Sequence, residues 1–173
     1  MEHKALRVFA NLSFYNNDNA LAICDVEKHI LSVIKLSIDH TSRFESNPDF
    51  SRLACAAMTN LCHEDDGVRE QICEAGGVEV LAAMLRKFLL NFKTIDPADL
   101  RGNALRAFDN LSESEKALQT FMSAGVFDLL VEYLQEIDSR ESDSFLDLSK
   151  TAIKILETIA VSKLYHTEAV NRN

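Results

Sequence analysis

An asparagine followed by leucine recurs at a nearly constant interval, and this recurrence constrains the fold more than any other feature of the chain. FANLS around Asn11, MTNLC around Asn60 and FDNLS around Asn110 carry it. LETIA is a degenerate fourth copy, with Thr158 and Ile159 in the same two places. The four copies are spaced 49, 50 and 48 residues apart. Aligned on the Asn position, they agree well beyond the pair. Alanine stands six residues upstream each time, at Ala5, Ala54, Ala104 and Ala152. Three upstream lie Val8, Ala57, Ala107 and Ile155, and two upstream Phe9, Met58, Phe108 and Leu156. A chain that repeats one pattern at this period builds stacked units that share a continuous core.

Each copy has helical periodicity. In the second, Phe50, Leu53, Ala54, Ala57, Met58 and Leu61 occupy one face of a helix. The alanine column lets a neighbouring helix approach closely. Asn47-Pro48 and Asp96-Pro97 open the second and third copies, with Asn or Asp as N-cap and Pro at the first helical position. Two shorter helices are predicted between successive long ones. They fall at 67–75 and 78–90 around Gly76-Gly77, and at 114–124 and 126–137 around Gly125. The unit is a short helix, a glycine hinge, a medium helix, a polar loop and a long helix.

Composition agrees with an all-α chain. Only 5 Gly and 2 Pro occur among 173 residues, and 47% of them are hydrophobic. The net charge of −9 and pI near 5.0 argue against nucleic-acid binding through the whole surface, which needs a basic footprint. No apolar run approaches the ~20 residues that span a bilayer, and MEHKALRVFANLS has no signal-peptide pattern. Four cysteines in a chain of this size do not make a disulfide scaffold. The expectation is a cytoplasmic or nuclear protein with reduced thiols and no direct membrane insertion.

ICEAGGVEVLAAML (72–85) and FMSAGVFDLLVEYL (121–134) resemble the junction between the first and second helices of the armadillo repeat family. ALRVFANLS (5–13), ACAAMTNLC (54–62) and ALRAFDNLS (104–112) resemble its third helix. The resemblance covers nearly the whole chain and implies a right-handed α-solenoid of three-helix repeats, whose third helices line a concave groove. Residues 1–14 would then be a partial repeat holding only a third helix, followed by repeats at 15–63, 64–112 and 113–162. Residues 163–173 would start a further unit or form a tail. Two departures stand out. The units are longer than the family's usual period, and CDVEKH (24–29) replaces the expected Ala-Gly hinge of the first unit. An array that opens on a third helix exposes an apolar face, here Leu6, Val8, Phe9 and Leu12. Further repeats or another chain would cap such ends.

In this family the third-helix Asn hydrogen-bonds the backbone of an extended peptide in the groove. Carried over, that implicates Asn11, Asn60 and Asn110. The other reading is that these amides satisfy the backbone of the neighbouring repeat. Four residues before each Asn position, where import adaptors of the family carry Trp, stand Arg7, Ala56, Arg106 and Lys154. Eight before stand His3, Arg52, Gly102 and Lys150. The row therefore offers Arg7, Arg52, Arg106, Lys150 and Lys154 without an acid, while acids crowd the loops. It describes either a basic groove for an acidic or phosphorylated segment, or a solvated helix face of ordinary charge.

Chemistry-capable side chains concentrate in TNLCHEDDGVREQICEAGG (59–77). A metal site would need paired ligands converging, and Cys62 and Cys73 are not spaced like any familiar one. A repeat junction accounts for the same residues: Cys62-His63 end one helix, Glu64-Asp65-Asp66 start the next, and Val68, Ile72 and Cys73 pack. Cys55 falls on a core face, and His29, His40 and His166 are isolated. No phosphate-binding Gly loop, His-Glu-x-x-His or nucleophile elbow occurs.

The expectation is therefore a non-enzymatic protein-interaction scaffold or adaptor, with no cofactor or metal, that binds an extended and acidic partner segment. The alternative is a regulator resembling the armadillo-type stimulators of small-GTPase nucleotide dissociation, whose acidic loops meet basic GTPase tails. A membrane-anchored trafficking role would need an acylation signal, and Met1-Glu2 does not supply an N-myristoylation site.

Overall fold

The computed structural model describes residues 48–63, 65–89, 98–137 and 143–171, together with residues 7, 8, 11, 12, 14, 18, 19 and 22. Among these the chain is all-α. Its helices are α1 (Pro48–Leu61), α2 (Asp66–Glu74), α3 (Gly77–Leu89), α4 (Ala98–Leu111), α5 (Glu115–Ser123), α6 (Val126–Ile137) and α7 (Asp143–Asn171). Residues 7, 8, 11 and 12 are also helical. The expected short, medium and long order is present, with boundaries within a residue or two of the periodicity. Pro48 is the first residue of α1 as expected. Asp96-Pro97, the first unit's hinge at 24–29, Cys24, His29 and His40 lie outside the described residues. The stretch expected to start a further unit continues α7 unbroken as far as Asn171.

Helices of equal rank stack on each other: α1 on α4 and α4 on α7, α2 on α5, α3 on α6. This is how a helical repeat array buries one face per unit. The alanine column explains the closeness of the long helices, since Ala54, Ala104 and Ala152 are all fully buried. Leu61, Leu111 and Ile159, one residue past the Asn position, are buried too. Phe108 and Phe121 meet edge to face, with centroids 5.4 Å apart, and tie α4 to α5. Val8 and Leu12 break the pattern. They are 51% and 48% exposed where their counterparts are buried.

The two hinges are built alike. Gly76 and Gly125 take φ of +82° and +67°, a left-handed conformation that costs glycine little. In both, the glycine N–H donates back to the preceding helix, to Cys73 O at 3.0 Å and Met122 O at 3.3 Å. In both, the glycine carbonyl accepts from the next helix, from Val80 and Leu129, each at 3.2 Å. One residue thus closes one helix and opens the other. No helix among the described residues is long and apolar enough to cross a membrane.

Candidate functional site

The residues expected to line a groove lie on the three long helices and on the helical residues near the N-terminus. Arg7 and Asn11 are exposed, and Arg52 and Asn60 are half-buried on α1. Arg106 is exposed on α4, and Lys150 and Lys154 are exposed on α7. Because α1, α4 and α7 lie side by side, these positions form adjacent rows.

The bonds along the rows differ by position. Asn110 Nδ2 donates to Thr59 O of α1 at 2.9 Å. Thr59 Oγ1 lies 2.8 Å from both Cys55 O and Asn103 O, and its single proton serves one of them at a time. The Asn110 amide N–H therefore satisfies a neighbouring unit, the second of the two roles open to it. Its carbonyl oxygen is the part that can accept from an extended ligand. Arg106 Nη1 donates to Asn103 Oδ1 at 3.0 Å, which orients the guanidinium and leaves further N–H donors.

The acid-free row has acids at its edges. Lys154 Nζ sits 2.8 Å from Asp109 Oδ1 and donates to Oδ2 at 2.9 Å. Lys150 Nζ reaches Asp147 Oδ1 at 3.1 Å, a pair of exposed side chains within one helical turn. Asp109 precedes Asn110, a position outside the row by sequence that still reaches across to the next helix. Gly102 is buried, and a Cβ there would meet Arg106 Nη2 and Leu148 Cδ2, each at 3.5 Å. The position eight before the Asn therefore faces the next long helix at Gly102.

The junction at 59–77 contains one residue whose importance the sequence reading missed. Arg69 is 5% exposed. Its Nε donates to Cys62 O and its Nη2 to His63 O, both at 2.9 Å, which satisfies carbonyls at the end of α1. Nη1 pairs with Asp66 Oδ1 at 2.7 Å, and Nη2 also reaches Glu113, in the loop of the next unit. The available signal was its place beside Val68, Ile72 and Cys73 on the buried face of α2. Asp65 caps that helix by accepting from Val68 N at 2.9 Å. His63 is exposed, and among the described residues no group of three His, Cys, Asp or Glu converges as metal ligands would.

The buried thiols and phenol are held neutral. Burial pushes Cys55 up to about 12 from its ordinary 9.0. Cys55 Sγ packs 3.5 Å from Met84 Sδ. Burial, helped by the charge of Glu79, pushes Cys73 up to about 11. Tyr133 is pushed by burial to about 12, against the opposing pull of Arg101. Such thiols pack rather than react.

No family model matches the chain, and no curated protein matches it. Its fold is similar to the crystal structures of two engineered proteins. One superposes with a TM-score of 0.69 and 24% identity, over 92% of this chain and 56% of the other. The second gives a TM-score of 0.64 and 17% identity, over 93% of this chain and 62% of the other. The chain thus spans little more than half the length of these engineered chains. At such identities the likeness is one of fold, an all-α helical array.

Proposed function

We propose that this chain is a non-enzymatic protein-interaction module of the armadillo type, coiled as a right-handed solenoid. Its ligand is an extended, acidic segment of another protein, held against the face of α1, α4 and α7. The observation that carries this reading is the exposure of Arg106 and Lys154 at equivalent positions of successive helices. Arg106 offers a guanidinium fork for carboxylate or phosphate. Lys154 is exposed and exchanges its half-buried partner Asp109 for a ligand acid. Asn110 supplies a side-chain acceptor for the ligand's backbone N–H beside them, and Arg7, Asn11, Arg52 and Asn60 extend the same rows.

Fluorescence anisotropy with an acidic and a basic extended peptide across a salt series tests this. The acidic peptide binds and weakens with salt, and Arg106→Glu lowers its affinity by about tenfold or more. Preference for the basic peptide overturns the reading. It would instead favour the small-GTPase-regulator alternative, for which α6 offers exposed Asp128, Glu132 and Glu136 at successive turns.

A further inference from the structure

In α1 and α4, one side of the long helix receives the next long helix. Cys55 and Leu105, at equivalent positions on that side, are fully buried. Cys62 and Ser112, two residues past the Asn position, are buried as well. Thr59 and Asp109 between them carry the bonds to the following helix. The corresponding residues of α7 are Ile153, Glu157 and Ala160. Ile153 is 46% exposed, and Glu157 and Ala160 are exposed. Leu146 at 57% and Val161 at 50% extend the same side in both directions.

Leu146, Lys150, Ile153, Glu157, Ala160 and Val161 lie within one stripe, since their spacings of 3 and 4 residues keep to one helix face. The stripe is nearly symmetric about the Ile153–Lys154 bond. Lys150 and Glu157 are equidistant from that point, and so are Leu146 and Val161. Neither other long helix has this arrangement. The places of Lys150 and Glu157 hold Arg52 and Thr59 in α1, and Gly102 and Asp109 in α4.

We infer that this stripe of α7 docks the same stripe of a second copy of the chain, antiparallel and about a two-fold axis near Ile153–Lys154. Lys150 then pairs with the second copy's Glu157, and Glu157 with the second copy's Lys150. Leu146 meets the second copy's Val161 at each end, and the two Ile153 side chains meet beside the axis. An isologous contact needs a patch complementary to itself, and opposite charges placed symmetrically about an apolar centre provide one. The same symmetry disfavours a parallel pairing, which would set Lys150 against Lys150 and Glu157 against Glu157. Lys150 gives up only its exposed i,i+3 pair with Asp147. The contact covers about 23 Å of helix between Leu146 and Val161, so a small interface and micromolar dissociation are expected.

Sedimentation velocity of the full chain from about 5 to about 500 µM tests the proposal. The wild type passes from monomer to dimer over this range. Lys150→Glu and Glu157→Lys each weaken dimerisation by about tenfold or more, because each sets like charges opposite one another. An equimolar mixture of the two variants restores it, since every facing pair is again opposite in charge. All three residues concerned are exposed, and circular dichroism checks that each variant keeps its helices. A second probe, Ile153→Asp, abolishes association without a charge pair at issue. A wild type that stays monomeric throughout overturns the proposal. So do open-ended oligomers, or a dimer that the charge variants leave unchanged.

Discussion

The seam between the units 48–89 and 98–137 and the seam between 98–137 and α7 use the same register positions with different chemistry. In the first, Asn110 donates to the Thr59 carbonyl and the Thr59 hydroxyl lies within bonding distance of Asn103 O, both neutral and part-buried, and Arg69 reaches Glu113 from a buried site. Lys116 pairs with Glu74, and Arg86 donates to the carbonyls of Ala124 and Gly125, so bonds cross at every layer of the stack. In the second, the position of Thr59 is held by Asp109, which faces an exposed Lys154. Leu148 lies over Gly102. At this register position one architecture thus tolerates a neutral link and an ionic one, while the ion pairs of Arg69 and Lys116 also cross the first seam.

The largest test separates the units by pH. Cys55 and Cys73 lie in the segment 48–89 and Tyr133 in the segment 98–137. Above pH 9 the unfolded chain ionises its thiols while the fold keeps Cys55 neutral up to about 12. Stability from Cys55 is complete below 9 and lost as pH rises toward 12, at about 1.4 kcal/mol per unit. Urea midpoints should therefore fall from pH 9 upward, before Tyr133 begins to contribute above its ordinary 10.0. Cys55→Ala should flatten the first part of this fall, and an unchanged slope would remove Cys55 as its source.

Next in size, Arg69→Ala should cost about 2–3 kcal/mol in urea unfolding, because the end of α1 loses charged hydrogen bonds. Glu113→Gln removes only an exposed partner and should cost less than about 1 kcal/mol. Equal losses would mean that the link to Glu113, rather than the capping of α1, is what matters. Asn110→Ala should cost about 1 kcal/mol by depriving the Thr59 carbonyl of its donor. Gly102→Ala should go the other way, with a gain of up to about 1 kcal/mol. The added methyl meets ordinary contacts and the helix loses a flexible residue. The smallest effect belongs to the Lys154–Asp109 pair: Lys154→Ala should cost less than about 1 kcal/mol, and the cost should shrink in high salt, since Lys154 is exposed while Asp109 is half-buried. A salt-independent loss there would erase the contrast between the two seams.

Much of this was legible in the residues. The interval of the Asn positions and the alanine column locate the long helices, and Gly76 and Gly125 locate the hinges. These features follow from local propensity and period, which a linear reading captures. The chemistry between units was less legible. The row of cations reads as free of acids because Asp109 lies one residue before Asn110 and Asp147 three before Lys150, where the long lysine side chains reach them. Arg69 stands in an acidic stretch, where an arginine is ordinarily a solvated residue. Its place beside Val68, Ile72 and Cys73 puts it on the buried face, but its partners, Cys62 O, His63 O and Glu113, are fixed only by packing. Asn110 shows a third limit: the residue type permitted two hydrogen-bond roles, and only the packed neighbour selects between them.

The placement of Arg69 bears on how the array comes apart. In a stacked array, each unit's own stability and its coupling to the nearest neighbour jointly decide whether units melt singly or together. Arg69 contributes to both quantities, because one guanidinium binds the carbonyls just past α1 within the segment 48–89 and pairs with Glu113 beyond it. Weakening it therefore lowers the local and the shared contribution at once. The segments 48–89 and 98–137 are therefore expected to melt together, while α7 joins them through buried Ala152, Ile155 and Ile159 and the salt-accessible Lys154 pair.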